Sequence, residues 1–137
     1  MRQDLPKRSF DFAKRIVTLC KHLEDSSGVS RTLANQLFRS GPSIGANIEE
    51  GQASQSEADF LSKYSIACKE ARETHYWLRL LSETNLVSSD RLTGMIQEAD
   101  ELIAILTSIV RKIRAKREGA NANGQENFHP SHFTLHP

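Results

Sequence analysis

The sequence predicts an all-α protein, an antiparallel up-down-up-down four-helix bundle. Three observations predict it. Two segments carry seam residues at unbroken four-three spacing: Phe60, Tyr64, Ala67, Ala71, Thr74, Leu78, Leu81, and then Leu92, Ile96, Ala99, Ile103, Leu106, Val110, Ile113. That spacing keeps one stripe of a helix against its neighbours. Two more amphipathic segments precede them, and short connections between successive helices favour antiparallel pairing. No run alternates polar and apolar residues between turn residues, so no strand is predicted.

Residues 1–8 are read as an N-terminal extension. The first helix opens near Ser9, a candidate N-cap, and ends near Glu24. Phe12, Ile16, Leu19 and Leu23 share one face with Cys20, while Lys7, Lys14 and Lys21 lie seven apart on the opposite face. Asp25-Ser26-Ser27-Gly28 is a turn. The second helix spans about Ser30 to Gln52, with Leu33, Leu37, Ile44 and Ile48 as its stripe and Gly41 on the same face. Pro42 lies in the middle, where it removes a donor and crowds the preceding turn. The stripe keeps its phase across Pro42, so one helix kinked near that residue is expected, with two shorter helices as the alternative.

Ser56 followed by Asp59 approximates a capping box for the third helix, which runs to about Asn85. Ser88-Ser89-Asp90 opens the fourth, which runs to about Arg117. The cations of its last turns complement the helix dipole. The bundle is thus expected over 9–117. Residues 118–137 turn to Asn, Gly, Gln, His and Pro, and are expected to be a disordered tail with inert histidines at 129, 132 and 136.

With 137 residues, the chain is long enough to bury a core without disulfides or metals. Its net charge of +1 conceals an uneven distribution. Residues 1–39 hold eight Lys/Arg against four Asp/Glu, residues 40–110 five against eleven, and residues 111–137 five against two. Such a chain can present a basic surface to a polyanion and stay soluble. Cys20 and Cys68 sit in helical patterns without a C-x-x-C pair, which points to reduced thiols and a cytoplasmic location. No apolar run approaches a membrane span, and the charged start is not a secretory signal.

Nothing in the sequence assembles a catalytic group. His22 and His75 lack an evident nucleophile and orienting partner. The chain has no Glu-x-x-His pair; Glu73-Thr74-His75 has the wrong spacing for a di-metal bundle site. Gly41-Pro42-Ser43-Ile44-Gly45 lacks the Lys-Ser/Thr ending and preceding strand of a phosphate loop. The expectation is no enzyme, no metal and no cofactor.

Two extra stripes point to association. Ser40, Ser43, Asn47, Glu50 and Ser54 form a polar stripe on the second helix, read as a semi-buried seam against another helix or subunit. Ile66, Glu70, Glu73, Trp77 and Leu80 form a second stripe on the third helix, away from its main seam. An outward Trp among apolar residues suits an oligomer interface. Arg39, Lys63, Lys69, Arg72 and Arg79 are available partners for the acids. The candidate interface is therefore Arg39, Ser40, Ser43, Asn47, Glu50, Ile66, Lys69, Glu70, Glu73, Trp77 and Leu80. Up-down topology also puts the start of the first helix beside the end of the fourth. Lys7, Arg8, Lys14 and Arg15 would then join Arg111, Lys112, Arg114, Lys116 and Arg117 in one basic end, a candidate for phosphate contacts. Dipole-matched solvated cations are the plainer reading.

Two long motifs resemble a known family. They are Gln36 to Gly51, QLFRSGPSIGANIEEG, and Asp59 to Leu81, which opens DFLSKYSIA and closes KEARETHYWLRLL. The chain resembles, over about residues 10–113, the bacterial four-helix bundles encoded in intervening sequences of 23S ribosomal RNA genes, the "S23 ribosomal protein" family. Pro42 and Glu49 depart from the family pattern. The resemblance implies a ring-like homopentamer without enzymatic activity. It also implies kinship with the accessory variability protein of diversity-generating retroelements, a basic pentamer that binds nucleic acid and a reverse transcriptase. The expected function is an oligomeric RNA- or nucleoprotein-binding accessory protein; the alternative is a protein–protein adaptor with no nucleic-acid role.

Overall fold

The computed structural model describes residues 5–26 and 28–123. They form four helices and no strand: α1 (Leu5–Leu23), α2 (Gly28–Gln52), α3 (Glu57–Glu83) and α4 (Ser89–Asn123).

Helix α1 starts earlier than expected. Leu5 and Ser9 are buried and extend the stripe of Phe12, Ile16, Leu19 and Leu23 back by two positions. Residues 5–8 are therefore helix and not extension. Pro6 is tolerated because first-turn N–H groups have no intrahelical acceptor. Ser9 is not an N-cap. Its hydroxyl donates to the Pro6 carbonyl at 3.0 Å from inside the helix.

Helix α2 runs unbroken through Pro42, which excludes two separate helices. Its buried face includes Gly41, Gly45 and Gly51. A Cβ on Gly41 would stand 2.7 Å from Ile16 Cγ2, and one on Gly51 2.6 Å from Tyr64 Cε1. Glycine there lets α1 and α3 approach the α2 backbone.

Helix α3 begins as predicted. Ser56, in extended conformation, accepts from the Asp59 amide at 3.1 Å. It ends in a Schellman motif: the Leu86 amide reaches the Leu81 carbonyl at 3.1 Å and the Asn85 amide reaches Ser82 at 3.2 Å. Asn85 takes φ of +58°, the left-handed conformation this turn requires. Alanine at Asn85 is expected to cost about 1 kcal/mol, since a Cβ without a compensating side chain strains that conformation. Asn85→Gly should be neutral or better. Urea unfolding of both variants checks this.

Helix α4 continues past Arg117 to Asn123, so residues 118–123 belong to the helix and not to a tail. Residues 124–137, with the three histidines expected to be inert, lie outside the described residues.

Successive helices touch in opposite chain directions. Cys20 Sγ meets the Ala34 carbonyl while Gly45 lies against Ser9. Gln52 meets Tyr64 while Ser40 meets Thr74. Lys116 meets Glu57 while Asp100 meets His75. The core between them holds Phe12, Ile16, Leu37, Ile44, Ile48, Leu78, Leu102 and Leu106, each about fully buried. Phe60 stacks on Tyr64 with centroids 4.1 Å apart. Burial pushes the Tyr64 hydroxyl up to about 12, partly opposed by its bond from Gln52 Nε2 at 2.5 Å. This phenol is a neutral core group at every physiological pH.

Candidate nucleic-acid interface and subunit seam

The cations predicted to gather at one end are divided by the fold. Arg8 turns inward between α1 and α4 and grips Glu98 at 2.5 Å, with Glu101 at 3.7 Å. Only 15% of the Arg8 side chain is exposed, and its pKa is raised, chiefly by the bond to Glu98. Lys7 and Lys14 both pair with Asp11, at 3.0 and 3.1 Å. These bonds hold the Asp11 carboxyl below its ordinary value. The Arg15 guanidinium lies over Gly94 of α4. Lys116 and Arg117 each reach Glu57 at 3.5 Å, next to the dipole-positive start of α3.

A single basic end does not form. Arg8 sits level with residues 98–101 of α4, and residue 111 lies ten positions further on, about 15 Å at helical rise. Topology placed the two sets at the same end, but the longer α4 carries its own cations past α1.

A different set of cations comes together instead. Lys69 and Arg72 of α3 face Arg111 and Arg114 of α4 across a groove of about 380 Å³ that includes Ser65 and Thr107. Among the described residues no carboxylate lines it. Arg72 donates to the Thr107 hydroxyl at 3.3 Å. Lys69 was expected among the subunit-interface residues; within the chain it lines this groove because α3 turns it toward α4. Lys112 is exposed outside the groove.

The candidate subunit seam is partly internal. Ser40 is fully buried and bonds Thr74 at 2.8 Å, a helix-to-helix contact within one chain and not a subunit contact. Asn47 donates to the Ser43 carbonyl on its own helix, and exposed Glu50 pairs with Lys63 at 3.0 Å. Trp77 is half-buried; its indole N–H donates to Glu73 at 3.3 Å, and the ring meets Tyr76 edge-on. Arg39 bonds the same Glu73 carboxylate, holding its pKa below the ordinary range. Leu80 is half-buried.

Glu70 completes this seam imperfectly. Its Oε2 is buried without a hydrogen bond and has only Arg39 Nη1 at 3.6 Å. Exposed apolar side chains lie on the same helices: Ile66 at 39% and Tyr76 at 50% on α3, and Phe38 at 58% on α2. Phe38 also lines a groove with Val17, Cys20 and Ala34 between α1 and α2. Sequence reasoning missed Phe38 and Val17, because each stands one residue from a seam position and periodicity alone marks it as simply off-stripe.

Cys20 and Cys68 are free and half-buried. Burial pushes the Cys20 thiol up to about 11, which leaves it protonated and poorly nucleophilic. His75 has a partner that the sequence did not reveal: its Nε2 lies 2.9 Å from Asp100 of α4. Among the described residues no group of three or more His, Cys, Asp or Glu side chains could hold a metal, and no helix is long and apolar enough to cross a membrane.

The family model for 23S rRNA-intervening sequence proteins matches residues 2–108. No curated protein matches. A crystal structure of a protein of unknown function from the S23 ribosomal protein family, from Bacteroides thetaiotaomicron, is 41% identical. The match covers 77% of this chain and 96% of that one, with a TM-score of 0.71. Neither description carries an enzymatic activity. With most of its helical length matched by the family model, and a close structural relative inside the same family, the chain belongs to the 23S rRNA-intervening sequence protein family.

Proposed function

We propose that this chain works without catalysis, as a cytoplasmic homo-oligomer that binds RNA or a nucleoprotein. The α2–α3 seam carries this reading. Glu70 buries a carboxylate oxygen whose ion-pair partner, Arg39 Nη1, stands at 3.6 Å, beyond hydrogen-bond reach, and Ile66 and Tyr76 are exposed on the same helix. A buried carboxylate oxygen without a hydrogen bond is costly, and a neighbouring subunit can supply the donor while covering the apolar residues. The groove at Val17 and Phe38 offers a second apolar surface, and a ring needs two different patches on every subunit. The homopentamer is the ring that the family resemblance favours. Two free thiols, one held protonated, suit a reducing compartment. The RNA half rests on cations that lack a facing acid, since phosphate contacts supply sequence-independent affinity.

Native mass spectrometry of freshly isolated protein tests assembly and reports any co-purified nucleic acid. A monomer at micromolar concentration would defeat the oligomer. Ile66→Asp places a charge on an exposed position, so the fold should persist. The expected outcome is a shift to monomer, because desolvating that charge opposes association. An unchanged mass would remove Ile66 from the interface.

A further inference from the structure

We infer that the α3–α4 groove lined by Lys69, Arg72, Arg111 and Arg114 is the phosphate-binding track of the protein, for the backbone of single-stranded RNA. The inference rests on the nucleic-acid reading above and gives it a location different from the basic end that the sequence suggests.

The groove differs from five of the other candidate cations in how its charge is balanced. Lys7, Lys14, Arg8, Lys116 and Arg117 each have a carboxylate partner on the same chain. The groove gathers four cations from two helices with no carboxylate in its lining. Lys69 helps to lower the pKa of Glu73 on the same helix, but that carboxylate is already bonded by Arg39 and by the Trp77 indole. Like charges held together on a rigid scaffold repel one another. An anion between them relieves the repulsion.

The placement suits a chain of phosphates better than one isolated anion. Thr107 and Arg114 are seven positions apart on α4, about 10 Å at helical rise. Arg72 and Thr107 mark one end of the groove, and Ser65 and Arg114 belong to the other. The Thr107 and Ser65 hydroxyls add neutral hydrogen-bonding groups beside the cations at the two ends. Three of the four cations are arginines, whose planar fork matches phosphate oxygens. Among the described residues no aromatic side chain lines the groove, so they offer bases no stacking platform there. The readout is therefore backbone charge and not sequence.

The test uses fluorescein-labelled oligouridylate and fluorescence anisotropy with the full chain. Wild type should bind at low salt. Four phosphate contacts set a slope of log K against log salt of about −3 for a single strand. Arg111→Glu/Arg114→Glu should weaken binding about tenfold or more and flatten that slope. Both residues are exposed, and the new carboxylates face Lys69 and Arg72, so the helical circular dichroism should be unchanged. Arg111→Gln/Arg114→Gln is the second variant and should also weaken binding, in the case that reversal perturbs the fold. Lys7→Glu/Lys14→Glu should bind like wild type. Equal binding by both Arg111/Arg114 variants overturns the groove. Loss in the Lys7/Lys14 variant alone also overturns it, but leaves the nucleic-acid reading standing. Absence of wild-type binding at low salt overturns both.

Discussion

The double variant Gly41→Ala/Gly51→Ala is expected to lose about 1–4 kcal/mol of stability, set against a domain's usual 5–15 kcal/mol. At Gly41 the added methyl would meet Ile16 Cγ2 at 2.7 Å, Cγ1 at 3.0 Å and Cβ at 3.1 Å. Ile16 is fully buried and branched at Cβ, so its χ1 cannot rotate away cheaply. Helix α1 would have to retreat as a body. At Gly51 the methyl would meet the Tyr64 ring, which is fixed by Phe60 on one side and by Gln52 at its hydroxyl. Overpacking of this kind costs about 1–3 kcal/mol per site. The gain of up to about 1 kcal/mol from replacing helical glycine offsets part of it. The sites face different helices about 15 Å apart, so the losses should add.

Two other glycines supply the control. A Cβ on Gly119 meets nothing within 4 Å, and one on Gly94 meets only the mobile tip of Arg15. Alanine at either should raise stability by about 0.5–1 kcal/mol through helix propensity alone. Urea melts of the four single variants would settle the matter. Gly41→Ala unfolding at the wild-type midpoint would show that α1 does not approach α2 so closely.

Arg8→Ala is expected to destabilise by about 2 kcal/mol, the scale of a hydrogen-bonded charge pair held mostly out of water. Arg8 and Glu98 are 15% and 18% exposed, and the pair ties α1 to α4. Removing one partner leaves the other charge partly buried and unpaired, so Glu98→Ala should cost a similar amount. The reversed pair Arg8→Glu/Glu98→Arg should recover part of the loss. A double-mutant cycle isolates the coupling. Coupling near zero would mean that the α1–α4 contact is held by its apolar residues alone. The pair also explains why Arg8 is a poor candidate for RNA contact, since a phosphate would have to displace Glu98.

Much of the fold was legible in the residues. The four-three stripe of α3 became its buried face, and Ser56 became the N-cap. On α4 the stripe was right only in part: Ile96 and Ile103 are half-buried, and Met95, Leu102 and Ile109 complete the buried face, because the neighbouring helices meet α4 slightly to one side of that stripe. The boundaries were less legible. Ser9 resembles an N-cap in sequence, yet it fills a tight space against Gly45, where only a small side chain fits. The composition turns away from helix after Arg117, yet α4 runs on to Asn123. Propensity is a weak signal at such points, and packing overrides it.

The candidate sites were legible only as lists of residues on faces. Ser40 shared a face with Asn47 and Glu50, but burial against Thr74 removed it from the surface. Arg8 and Arg111 carried the same charge and the same topological expectation, and one met Glu98 while the other entered a groove without acids. The sequence by itself determined how many helices form, most of the positions each of them buries and where the cations lie along the chain. These follow from helical periodicity, which is local. Only the tertiary structure decided which cations are neutralised and which are gathered, because partners across helices depend on register, tilt and relative length, and no repeat within one helix encodes those.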